Sequence, residues 1–211
     1  MSGTPAGAQL PASDWQDGFG QSGMGSAGQA RSRAGLDRRI ERPGIGCIGG
    51  VNVQYTHNTL SENIRAKSVE LLNKHLAAAI DLHGQVKQAH WNVRGPAFIA
   101  VHELFDKVAD VVEEQSDTIA ERAAALGGTA QGTVQVAAGR SFLVPYALGI
   151  ADEKEHIFAL SASLAAFGQS ARNATSEAAT FGDADTADLF TEISRGIDHE
   201  LWFVESHLAP K

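Results

Sequence analysis

Residues 101–122 read VHELFDKVADVVEEQSDTIAER, and the polar side chains in this stretch decide how the chain is read. Wound as a helix at about 100° per residue, His102, Asp106, Asp117 and Glu121 fall at roughly 0°, 40°, 60° and 100°, a single stripe. His102 with Asp106 and Asp117 with Glu121 are i, i+4 pairs, so each pair can converge on one ion. The two pairs cannot reach each other within one chain. Asp106 and Asp117 lie about 16 Å apart along the axis, whereas metal–ligand bonds are about 2 Å. The pairs therefore meet across two chains or not at all. The residue numbers 102 and 121 have the same sum as 106 and 117. Two copies of the helix packed antiparallel about a two-fold axis near residues 111 and 112 would set His102 opposite the partner's Glu121 and Asp106 opposite the partner's Asp117. Two identical sites about 22 Å apart would result. Such i, i+4 pairs are also common on solvated helix faces. Asp110 and Glu113 obey the same sum and would add negative charge near the axis.

Outward from this stretch, the sequence predicts four long helices. The first runs from about Ser61 to Asn92, with an S-E-N-I capping signal and apolar residues at Val69, Leu72, Leu76, Ala79 and Ile80. Gly95-Pro96 breaks it. The second runs from about Phe98 to Leu126 and stops at Gly127-Gly128. A long connection over 128–149 follows, with room for one short helix near 144–148. The third helix spans about 151–180, and the fourth runs from an Asp183 or Asp185 cap to about His207. Short turns within each helix pair and a long crossover between the pairs describe an all-α, ferritin-like four-helix bundle. His90, at the end of the first helix, is placed to join His102 as a further ligand. Two imidazoles and three carboxylates suit a divalent first-row metal. Iron fits best when the task is redox chemistry, with Zn or Mn as substitutes.

The domain boundaries follow from composition. Of the 22 glycines, 12 lie in the first 50 residues, so 1–54 read as a flexible extension and 55–211 as the bundle. That extension holds Arg31, Arg33, Arg38, Arg39 and Arg42 against four acids, net +1, which leaves −9 of the total −8 charge on the remainder. The arginines are either a DNA- or phosphate-binding arm or a solvated tail. An acidic body repels DNA and attracts cations. The single cysteine, Cys47, excludes an intrachain disulfide and points to a reducing, cytoplasmic setting. No apolar run is long enough to span a membrane, and the first residues lack the pattern of a secretory signal.

The segments KQAHWNVRGPAFIAVHELFD (87–106) and DTIAERAAALGG (117–128) resemble the Dps family, the mini-ferritins named as DNA-binding proteins from starved cells. VELLN, DTADLF and LWFVES extend the resemblance over about Tyr55 to Leu208. It implies a dodecameric shell built from two-fold dimers, oxidation of Fe(II), usually by hydrogen peroxide, storage of ferric mineral and protection of DNA. By the family's motif, His90, His102 and Asp106 come from one subunit, and Asp117 and Glu121 from its two-fold partner. Asp188, with Asp183 and Asp185, looks like the family's acidic iron-uptake pore, although Asp183 or Asp185 serves equally as a helix cap. Trp91 is either an electron donor that absorbs stray oxidising equivalents or an aromatic packing the helix end. Some family members bind DNA through a basic arm, and such a chain would be nucleoid-associated. Two rival readings remain. One is a DNA-compacting particle acting through the arginine segment. The other is a di-iron site inside one bundle, for which only one of the two required E-x-x-H motifs exists, Glu153 to His156.

Overall fold

The computed structural model describes residues 53–208, which form five helices and no strand. Helix α1 covers Glu62–Asn92, α2 Phe98–Ala125, α3 Val134–Arg140, α4 Glu153–Phe181 and α5 Ala184–Glu205. Each start has a stated chemical cause. The Ser61 hydroxyl accepts from the Ile64 N–H, Asp152 accepts from Lys154, and Asp183 accepts from Thr186, each satisfying an N–H that the first turn leaves open. Helix α4 ends on Gly182 at φ +93°, a left-handed position that glycine fills without penalty.

α1 packs against α2 and α4 against α5, and α1–α4 and α2–α5 contacts join the two hairpins. The core between them is largely aliphatic, with Phe105, Phe167 and Phe190 as its largest buried side chains. Truncating any of these to Ala costs about 3–5 kcal/mol through lost burial and the cavity left behind. Before α1, Val53 is buried and the Gln54 N–H donates to the Gly127 carbonyl at 2.7 Å.

The crossover does contain a short helix, but not where the sequence suggested. It is α3, at Val134–Arg140, rather than residues 144–148. The Thr133 hydroxyl caps it by accepting from Val136, whereas the later segment has Pro145 and no comparable cap. Asn73 of α1 pins the start of the crossover, donating to the Thr129 carbonyl at 3.0 Å and accepting from the Gln131 N–H at 2.8 Å. Among the described residues, no helix is long and apolar enough to cross a membrane.

Candidate metal centre

The turn between α1 and α2 is clamped from below by α4. Arg94 donates its N–H to the Ala151 carbonyl at 2.9 Å and accepts from the Glu153 N–H at 3.1 Å. The Glu153 carboxylate then accepts from the Ala97 N–H at 3.0 Å. Gly95 is required here, because a Cβ at that position would collide with the Glu153 side chain. The clamp fixes the end of α1 against the start of α2, and with them His90 and His102.

The two imidazoles lie stacked, with centroids 3.8 Å apart and planes 22° from parallel. Nδ1 of His90 is 3.0 Å from the His102 carbonyl, and Nδ1 of His102 is 2.9 Å from the His90 carbonyl. A carbonyl oxygen only accepts, so each Nδ1 carries the proton. Nε2 of each ring has no hydrogen-bond partner among the described residues, and in the neutral tautomer it is the nitrogen that a metal-ligating histidine presents. The Phe98 ring, 5.1 Å from that of His102, backs the stack.

Asp106 joins the pair from one turn further along α2. Its Oδ1 lies 3.8 Å from His90 Nδ1 and 2.7 Å from the Lys87 ammonium. The bond to Lys87 holds the Asp106 carboxyl below the usual carboxylate range. Lys87 was not singled out from the sequence. The available signal was its position one helical turn before His90, on the same face.

The structure thus brings His90, His102 and Asp106 to one end of α2. Asp117 and Glu121 project further along the same helix, exposed and remote from the other three. Among the described residues, no three His, Cys, Asp or Glu side chains of one chain are close enough to hold an ion. Beside Asp117 runs an open groove of about 780 Å³, lined by Leu76, Ile80, His83, Asp110 and Glu113 among others.

The acidic segment divides by role. Asp183 is buried, caps α5 and accepts from Arg122 at 2.8 Å. Ser68 and Thr186 also donate to it, and these bonds with the Arg122 charge outweigh burial and hold its carboxyl below the usual range. All of its lone pairs point inward, so it has no free face for a pore. Asp185 and Asp188 are exposed. Trp91 is 68% exposed in the single chain, so it does not pack the helix end there. Glu153 and His156 of the E-x-x-H motif are both engaged elsewhere, Glu153 in the clamp and His156 with Tyr146. Arg31, Arg33, Arg38, Arg39 and Arg42 lie outside the described residues.

Comparison with known proteins agrees with this fold. Residues 69–210 match the model of the ferritin-like domain family. A DNA protection during starvation protein from Agrobacterium fabrum is 41% identical over 74% of this chain and 96% of its own length. The solved structure of DpsA14 from Streptomyces coelicolor superposes with a TM-score of 0.72 at 36% identity, covering 76% of this chain and 95% of that one. That of Dps from Microbacterium arborescens in the high iron form gives 0.67 at 32% identity, covering 72% and 99%. The chain belongs to the Dps family, the DNA protection during starvation proteins of ferritin-like fold.

Proposed function

We propose that this protein is a ferroxidase and iron store. It oxidises Fe(II), with hydrogen peroxide as oxidant, at sites shared between two subunits of a hollow dodecamer. The observation that carries this reading is the stacked His90–His102 pair, whose reciprocal Nδ1 bonds leave Nε2 of each ring without a partner among the described residues, with Asp106 beside His90. Two neutral imidazoles supply donors without charge. Asp106 with the partner's Asp117 and the partner's Glu121 supplies the negative charge that favours the ferric product. In the separate chain the Lys87 ammonium neutralises Asp106, a role an arriving Fe(II) ion would take over.

Peroxide accepts two electrons, one from each of two Fe(II) ions, and is reduced to water or hydroxide without releasing free hydroxyl radical. Removing Fe(II) and peroxide together would protect DNA whether or not the protein binds it. Iron is supported over Zn or Mn by the task, and by the relative solved in a high iron form. The groove beside Asp117 is where a second copy of α2 would lie. Exposed Asp185 and Asp188 are the pore candidates the geometry leaves available.

The test is ferric absorbance after mixing the protein with Fe(II) and peroxide. His102→Ala combined with Asp106→Ala is expected to abolish the fast phase while native mass still shows twelve chains. An unchanged initial rate in that variant rejects the assignment.

A further inference from the structure

Tyr146 and His156 form a second redox-competent pair outside the metal centre. The Tyr146 hydroxyl donates to Nδ1 of His156 at 2.7 Å, and the rings lie nearly parallel, 11° apart. His156 is 1% exposed and Tyr146 is half-buried against the core. The other ring nitrogen of His156 is buried without a hydrogen-bond partner, and burial lowers the ring's proton affinity against a smaller opposing pull from nearby backbone groups of Asn92 and Ile150. Asn92 is the last residue of α1, next to Trp91 and two residues beyond His90. The pair therefore backs the end of the helix that carries a metal-ligand candidate.

We propose that Tyr146 is a proton-coupled electron donor that quenches oxidising equivalents escaping the iron chemistry, with His156 as its proton acceptor. Losing an electron alone would leave a phenol cation in a poorly solvated place, at high cost. Passing the phenolic proton along the hydrogen bond lowers that cost, because imidazole holds the positive charge far better than an oxidised phenol does, even where burial lowers its proton affinity. The electron passes to a hydroxyl radical, formed where peroxide takes one electron from a lone Fe(II) ion instead of two from a filled site, and the radical becomes hydroxide. The phenolic proton moves to Nδ1 of His156 in the same event, leaving a neutral phenoxyl radical beside an imidazolium. A further Fe(II) ion returns the electron, becoming Fe(III), and the proton returns to the phenol oxygen. Burial also pushes the Tyr146 phenol up, so it holds its proton until oxidised. The chain has two tyrosines, and the other provides an internal contrast. Tyr55 is 84% exposed and sits 3.3 Å from His57 Nδ1, a longer contact open to water.

The natural oxidant in this inference rests on the ferroxidase reading, so the test has two arms on the full-length assembly. In one, Fe(II)-loaded protein with ring-deuterated tyrosine is mixed with peroxide, frozen and examined by electron paramagnetic resonance. In the other, iron-free protein is oxidised by a photoexcited ruthenium complex with persulfate. A tyrosyl radical is expected in both, lost in Tyr146→Phe and kept in Tyr55→Phe. Iron oxidation should proceed at the wild-type rate in Tyr146→Phe. His156→Gln keeps a hydrogen-bond acceptor but no base, and should slow radical formation roughly a hundredfold. A tyrosyl signal that survives Tyr146→Phe, or no tyrosyl signal in the photochemical arm, overturns the inference. Absence of ferric absorbance together with a Tyr146 radical in the photochemical arm would instead sink the ferroxidase reading alone.

Discussion

His90 and His102 each donate a proton to the other's backbone carbonyl, at 3.0 and 2.9 Å, so each imidazole sets the orientation of its neighbour. Replacing either one should do more than delete a ligand. In His90→Ala the Nδ1 bond that His102 makes persists, because it goes to backbone, but the stacking face is lost and the ring can turn. Metal affinity, read from the visible spectrum of bound Co(II), should fall roughly 10- to 100-fold in each single variant. Helix content should stay unchanged by circular dichroism. Equal Co(II) affinity in the wild type and His90→Ala would remove His90 from the site.

The Arg122–Asp183 ion pair ties α2, one residue after Glu121, to the start of α5. Asp183 is buried and also satisfies Ser68 and Thr186, so removing its charge strands the guanidinium and two donors together. Asp183→Ala should destabilise the fold by roughly 3–5 kcal/mol, measured by urea denaturation. Asp185→Ala, at an exposed position, should change stability by less than about 0.5 kcal/mol. A comparable loss in the two variants would contradict the division of roles between these neighbouring acids.

Two buried histidines make stability fall on mild acidification. Burial lowers the proton affinity of His75, which sits among Phe142, Phe167 and Phe190, and of His156. Their folded pKa values lie below the ordinary 6.5, so as pH drops the unfolded chain takes up these protons first. Their contribution is complete above that value and is lost progressively below it, at up to about 1.4 kcal/mol per pH unit for each group. The denaturation midpoint should therefore decline from pH 7.5 to 5.5, with a shallower decline in His75→Gln. A midpoint that rises over this range, or the same slope in the variant, contradicts the assignment.

Much of this architecture was legible in the sequence because its signals are local. Ser61 announced a helix start, Gly127 announced a helix end, and the polar stripe on α2 depended only on helical period. What the sequence hid was set by contacts between distant segments. Nothing near Glu153 or His156 reveals that one clamps the α1–α2 turn and the other pairs with Tyr146. Thr133 does cap a helix, by accepting from Val136, but that cap was not weighed from the sequence, so the short helix was expected about ten residues too late. Asp183 and Asp185 were equivalent caps until the fold brought Arg122 and Ser68 against one of them.

The division of the ligand set between two chains is tested most directly by complementation. One variant carries His102→Ala and Asp106→Ala, and the other carries Asp117→Ala and Glu121→Ala. Each alone should lack rapid Fe(II) oxidation. When the two are co-expressed, random pairing makes half of the two-fold dimers mixed, and each mixed dimer holds one intact site of two. Activity should then return to about a quarter of wild type. Co-assembled protein that stays inactive, or either variant active on its own, would contradict a site built from both subunits.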